Sequence, residues 1–311
     1  VQVYYDLSSF PKLSLPVVTI GTFDGVHLGH RTILKRLNEI AGRSGGQSVV
    51  ITFHPHPRLV LHPEDASLRL LNSLEEKIRL LEQEGIDYLL IIPFDKAFSE
   101  KDSATFIEEI LVRGSGTKKL VVGYDHHFGK NREGSFENLN RSGEFFGFDV
   151  EEIPAKDIDH VAISSTRIRQ ALQEGDIKTA NLYLGYPYRF SGTVVKGAQM
   201  GRQIGFPTAN LEIPGESKLI PGNGVYAVKV IAEGATWNGM LNIGYRPTVS
   251  NEGVLKIEVH IIDFSGDLYG KEIKVELYDR IRGEKKFNGI DQLKAQIAND
   301  KKSTLNLLGA V

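Results

Sequence analysis

The chain has 311 residues, 41% of them hydrophobic and 24% charged. These proportions exclude a disordered or low-complexity polypeptide and make two domains the starting expectation. Zero cysteines exclude disulfides, thiolate metal sites, iron–sulfur clusters and a cysteine nucleophile. The net charge of −2 divides into 21 Lys+Arg against 26 Asp+Glu over residues 1–185 and 16 against 13 over residues 186–311, so neither half has the basic footprint of a nucleic-acid binder.

From the amino terminus, Val1-Gln2-Val3-Tyr4-Tyr5-Asp6 lacks the basic and apolar regions of a signal peptide. No apolar run reaches the roughly 18–20 residues that span a bilayer. The expectation is a cytoplasmic protein with no membrane or nucleic-acid partner. The spacing predicts strands over Val17–Ile20, Val49–Phe53, Tyr88–Ile92 and Leu120–Val122, short apolar runs suited to a sheet covered on both faces. Between them, apolar residues three and four apart predict helices over Arg31–Ala41, Leu74–Gln83 and Ala104–Val112, the last capped by Asp102 or Ser103. Strand and helix in alternation imply right-handed crossovers and a parallel, open α/β sheet.

Residues 164–184 read as two helical segments broken near Gly175-Asp176. From Tyr186 the texture turns to strands: Arg189–Val195, Gly224–Ile231, Thr236–Ile243, Lys256–Ile262 and Glu272–Leu277, punctuated by Gly and Pro as in an antiparallel barrel or sandwich. A helix over Gly289–Ala298 closes the chain. The domains expected are 1–185 and 186–311.

The segment Gly21-Thr22-Phe23-Asp24-Gly25-Val26-His27-Leu28-Gly29-His30 follows the first strand and opens the first helix. In an open α/β sheet ligands bind at that junction. Glycines admit close backbone approach, and a helix amino terminus suits phosphate. His27 and His30 fall on one side of the first turn, where two imidazoles can stabilise charge on a phosphoryl group. The alternative is one packed histidine and one cap. Ile163-Ser164-Ser165-Thr166-Arg167-Ile168-Arg169 starts a helix with hydroxyls followed by two cations, which serves either simple capping or polyphosphate binding.

Gly201-Arg202-Gln203-Ile204-Gly205-Phe206-Pro207-Thr208-Ala209-Asn210 is either a hairpin loop or a phosphate-wrapping turn whose threonine hydroxyl suits Mg²⁺, and it is not a Walker A sequence. Glu258 and His260 share a strand face, which by itself fits a solvated carboxylate. His54, Asp125, His126 and His127 lie after strand ends, and none of the histidines there has the H-x-x-x-H spacing of a zinc site.

H-x-G-H at 27–30, I-S-S-T-x-x-R from Ile163, P-T-A-N at 207–210 and E-x-H-x-x-D-F from Glu258 together resemble the bifunctional riboflavin kinase/FAD synthetases of bacteria, over essentially the whole chain. The resemblance implies a Rossmann-like nucleotidyltransferase domain with a parallel sheet, followed by a small antiparallel β-barrel with a C-terminal helix. It implies ATP-dependent phosphorylation of riboflavin to FMN by the second domain and adenylylation of FMN to FAD by the first, both with Mg²⁺. His27, His30 and Glu258 are the implied catalytic residues, with Glu258 as base. Gly21, Phe23, Gly29, Ser164, Ser165, Thr166 and Arg167 are the implied ATP contacts of the first domain; His54, Asp125 and Phe128 surround adenine and flavin. Gly201, Gly205, Thr208 and Asn210 bind the kinase's ATP, with Thr208 on Mg²⁺ and Asn210 near it. The family usually has an aromatic residue where His126 stands. The rival readings are a nucleotidyltransferase for another acceptor fused to a non-catalytic flavin-binding barrel, and a flavin carrier with two remnant sites.

Overall fold

Buried apolar runs become the central strands of a six-stranded parallel sheet. Its members are β1 (Gln2–Tyr4), β2 (Pro16–Ile20), β3 (Gln47–His54), β4 (Tyr88–Pro93), β5 (Lys119–Gly123) and β6 (Asp149–Ile153). They lie in the order β1-β4-β3-β2-β5-β6 with every adjacent pair parallel. The computed structural model describes residues 1–65, 68–124, 129, 135–154, 163–197, 201, 204–215, 217–246 and 254–309. It forms two compact units, Val1–Ser164 and Ser165–Val311.

In the first unit the helices are α1 (Leu28–Ser44), α2 (Pro57–Leu61), α3 (Leu74–Gln83), α4 (Lys96–Ser99), α5 (Ser103–Phe106) and α6 (Phe136–Phe146). Leu34, Leu37, Ile40 and Ala41 form the buried stripe of α1, and each large side chain so buried contributes about 1.5–3 kcal/mol. Ser73 and Glu76 close a reciprocal capping box at the start of α3. Asp102 caps α5 through the Thr105 amide at 2.7 Å. The helix expected over 104–112 departs from α geometry: after Phe106 it continues as a π-helix over Ile107–Gly114, with the Ser115 amide donating back to the Ile110 carbonyl.

From β2 the chain crosses through α1 to β3 on one side, whereas β5 lies on the other side of β2. The carboxyl ends of β2 and β5 therefore flank the topological switch point, where open sheets bind ligands. The Gly21–His27 turn leaves β2 at that point. Gly123 and Tyr124 leave β5 there; the expected contacts Asp125 and Phe128, together with His126 and His127, lie outside the described residues.

The second unit starts with α7 (Ser165–Glu174) and α8 (Ile177–Leu184). Strands β7 (Arg189–Val195), β8 (Ala209–Glu212), β9 (Gly224–Ala232), β10 (Ala235–Arg246), β11 (Val254–Ile261) and β12 (Glu272–Arg282) close a barrel in the order β10-β11-β8-β7-β12-β9. Every pairing in it is antiparallel. A barrel, not a sandwich, is the outcome. The β9–β10 hairpin turns on Glu233 and Gly234, both at positive φ, as a two-residue hairpin loop requires. Helix α9 (Ile290–Leu308) runs ten residues beyond the helix expected to end at Ala298.

The units divide at Ser164/Ser165, upstream of the textural change near 185, because α7 and α8 are tied to the barrel. Asn181 donates to the Leu277 carbonyl at 2.9 Å and accepts from the Tyr188 amide at 2.7 Å, and the Gly222 amide reaches the Leu172 carbonyl at 2.9 Å.

Candidate functional site

In the first unit the turn after β2 carries three successive constraints. Phe23, Gly25 and Val26 all have positive φ (47°, 89° and 36°), a conformation that costs a phenylalanine and a β-branched valine steric strain. Both side chains are buried, so packing holds the turn in place. A Cβ on Gly21 would meet the Phe23 ring at 3.0 Å, and one on Gly29 would meet the His27 ring at 3.3 Å. His27 is the N-cap of α1, its Nδ1 accepting from the His30 amide at 3.4 Å. The two imidazoles stack with centroids 3.7 Å apart, and Phe23 packs edge-on against His30. The cap and the paired imidazoles are thus one arrangement. Burial, then the neighbouring His27 and Lys77, hold His30 well below the usual histidine range, so it is neutral near pH 7.

Beneath this turn lies a cluster that sequence reasoning missed. Lys77 of α3 is 7% exposed, and its Nζ donates to the Thr22 carbonyl at 2.7 Å; Thr52 Oγ1 donates to the same oxygen at 3.3 Å. Asp24, 2% exposed, accepts from the Leu71 and Asn72 amides at 3.0 and 3.4 Å. The signal was present: Lys77 lies on the same stripe as Leu80 and Leu81, where an apolar residue is expected. Burial lowers the Lys77 pKa to about 8, against the pull of Asp24. Below pH 8 the ammonium is charged in both folded and unfolded chains and the full burial cost applies. Between about 8 and 10.5 the unfolded chain holds the extra proton, so stability rises with pH. Denaturant unfolding should therefore show wild type gaining on the order of 3 kcal/mol relative to Lys77→Met across that window.

His54, at the end of β3, is exposed, and partial burial followed by the Lys77 charge lowers its pKa. Ser164 closes the first unit, while Ser165, Thr166 and Arg167 form the first turn of α7 in the second.

In the second unit the expected residues converge. A cavity of about 440 Å³ is lined by Gly201, Thr208, Asn210 and Glu258. Gly205, at φ 85°, shapes the turn into Phe206 without lining it. Glu258 on β11 is paired with Asn242 of β10 on one side and Asn210 of β8 on the other. Directly opposed residues share a face, so Asn242, Glu258 and Asn210 form one polar row across three strands, and all three line the cavity. Lys256, two positions along the same face, has its Nζ 3.7 Å from Glu258 Oε1. At another wall Arg282 holds the buried Asp300 through Nε and Nη2 at 3.0 Å, and its guanidinium lies over the Phe287 ring. Only the strand register puts Asn242 beside Glu258.

One glycine makes room for this row and another for the turn that leads into it. A Cβ on Gly201 would run into the Phe206 carbonyl and lie 3.3 Å from Thr208 Oγ1; a Cβ on Gly197 would overlap the Asn210 amide. Gly197→Ala should therefore displace the Asn210 side chain. Turnover at this cavity is expected to fall at least about tenfold, since small misplacements near a reacting centre are costly. The unfolding midpoint should barely move, because the displaced atoms end a flexible side chain.

Stacked imidazoles thus stand at a parallel-sheet switch point in the first unit, and in the second a barrel cavity sets a carboxylate between two amides. The family model for FAD synthetase matches residues 11–167 and that for riboflavin kinase residues 184–308. The bifunctional riboflavin kinase/FMN adenylyltransferase of Escherichia coli K12 is 41% identical over 98% of this chain and 96% of its own. That of Listeria monocytogenes is 40% identical over 93% and 91%. A crystal structure from Streptococcus pneumoniae, described as a macrolide-efflux protein, is 32% identical, covers 98% of each chain and has a TM-score of 0.87. Among the described residues of the present chain no helix is long and apolar enough to cross a membrane. The chain belongs to the bifunctional riboflavin kinase/FMN adenylyltransferase family.

Proposed function

We infer that this chain makes FAD in two ATP-dependent transfers. In the first, the terminal ribityl hydroxyl of riboflavin attacks the γ-phosphorus of ATP; Glu258 takes the hydroxyl proton, and FMN and ADP result. In the second, a phosphate oxygen of FMN attacks the α-phosphorus of another ATP, and FAD and pyrophosphate result. The observation that carries the kinase step is the Asn242–Glu258–Asn210 row, in a cavity within the usual range for small-molecule sites. A carboxylate flanked by amides in such a cavity suits a base, because phosphoryl transfer depends mainly on positioning and charge stabilisation.

Thr208 and Asn210 supply oxygen donors of the kind Mg²⁺ prefers when it is held jointly with substrate phosphates. These two residues, with Gly201 and Gly205 shaping the turn, would hold the magnesium nucleotide. The ion, when bound, neutralises phosphate oxygens. For adenylylation, His27 and His30 are assigned to charge on the reacting phosphate. Gly21, Phe23, Gly29 and the Ser164, Ser165, Thr166, Arg167 run are assigned to ATP, and His54 to the adenine and flavin side. Asp125 and Phe128 keep that assignment on family resemblance alone. The catalytic modules are taken as 1–185 and 186–311, a division close to the gap between the family-model matches at residues 11–167 and 184–308. A cytoplasmic location, where ATP is at hand, goes with this reading.

The test is incubation of the purified chain with riboflavin, ATP and Mg²⁺, with products separated by chromatography. FMN followed by FAD is the expected result. FMN alone marks a silent transferase, and bound but unchanged riboflavin marks a carrier; either overturns the two-step reading.

A further inference from the structure

His260 lies on β11 two residues beyond Glu258, 9% exposed, in the wall of the barrel cavity. Its Nδ1 is 2.7 Å from the Pro207 carbonyl oxygen. A carbonyl can only accept, so Nδ1 carries the hydrogen and the ring is committed to that tautomer. The Phe206 ring packs edge-on against the imidazole with centroids 5.5 Å apart, which fixes its plane.

The backbone explains why a side chain is used here. Strand β8 pairs with β11 at Asn210 opposite Glu258 and at Ala209 opposite Val259. The next pair in register would be Thr208 with His260, and beyond it stands a proline, which has no amide hydrogen to extend a ladder. The imidazole of His260 reaches past the end of the ladder and holds the proline carbonyl in its place. On the other side the Phe206 amide donates to the Gly201 carbonyl at 2.9 Å. Pro207 is thus anchored one residue before Thr208, at the point where the P-T-A-N segment enters the strand that carries Asn210.

We propose that His260 is a positioning residue for riboflavin phosphorylation: by donating from Nδ1 to the Pro207 carbonyl it fixes the segment that presents Thr208 and Asn210 to the nucleotide. This rests on the assignment of Thr208 and Asn210 to ATP given above. It needs no change of charge on His260, only the donor at the Nδ1 position.

The geometry supplies a discriminating set of variants. The amide nitrogen of Asn can stand near where Nδ1 stands; that of Gln reaches further, toward the Nε2 position; Leu has no donor. Riboflavin phosphorylation is measured with ATP varied, in the full chain, alongside FAD synthesis from supplied FMN and thermal unfolding. His260→Leu and His260→Gln should raise the KM for ATP at least about tenfold, and His260→Asn should recover most of it. FAD synthesis from FMN should be the same in all three. Equal effects of Asn and Gln, an unchanged KM in the Leu variant, or losses that merely follow a falling melting temperature would overturn the proposal. Thr208→Ala separates the two layers. A normal KM for ATP in that variant removes the segment from nucleotide binding altogether. A raised KM there, with a normal one in His260→Leu, removes only the role of His260.

Discussion

Glu258→Gln is expected to stop FMN formation almost completely, by about 100- to 10,000-fold in kcat, the range that a positioned general base contributes. The amide keeps the size of the side chain and its place between Asn242 and Asn210 but cannot take the hydroxyl proton. Folding should be nearly unaffected: the carboxylate is partly exposed, and its contact with Lys256 is 3.7 Å, a pair worth under about 1 kcal/mol. FAD synthesis from supplied FMN should stay within about twofold of wild type, because that chemistry is assigned to other residues. Chromatography of products from riboflavin and from FMN, run in parallel, checks both halves. Undiminished FMN formation from riboflavin would remove Glu258 as the base.

The second large effect is the mirror image. His27→Ala combined with His30→Ala should lower FAD synthesis from FMN by at least about 100-fold, the cost of losing one preorganised donor to a reacting phosphate or more. Riboflavin phosphorylation should continue. His27 is also the cap of α1, so part of the loss is structural, on the order of 1 kcal/mol for an N-cap replaced by alanine. His27→Asn distinguishes the two contributions, since asparagine is itself a good cap but has no imidazole. If His27→Asn restores stability without restoring FAD synthesis, the ring is acting on the substrate. Full FAD synthesis in the double alanine variant would exclude both histidines from the chemistry.

Much of the first unit could be read in advance. Val17–Ile20, Val49–Phe53, Tyr88–Ile92 and Leu120–Val122 all lie within observed strands, because strands buried on both faces must be apolar throughout and so stand out in any local window. The elements missed were those without that mark. Strand β1 is three residues at the sheet edge, and β6, Asp149–Ile153, is an edge strand with acidic side chains and only its last residue fully buried. Strand β8 was hidden inside a Gly- and Pro-rich run. It is four residues long, and its pairing with β7 and β11 supplies what its own composition lacks.

The candidate sites divide along the same line. H-x-G-H and P-T-A-N are contiguous, so each can be found within a short window of the chain. Lys77 beneath Thr22, Asn242 beside Glu258 and His260 on Pro207 join residues 55, 16 and 53 positions apart. None of these pairs can be found from spacing, because each depends on where a distant strand or helix comes to lie.

By itself, then, the order of amino acids marked the central strands of the sheet, several of the helices and the two glycine-containing turns, since period, capping and glycine placement act over a few residues. The tertiary structure decided which polar groups are buried together, that α7 and α8 fold with the barrel, and that a carboxylate stands in a row between two amides. The physical reason is that burial and cross-strand register come from contacts between residues far apart in the chain, and those contacts exist only once the sheet and the barrel have closed around them.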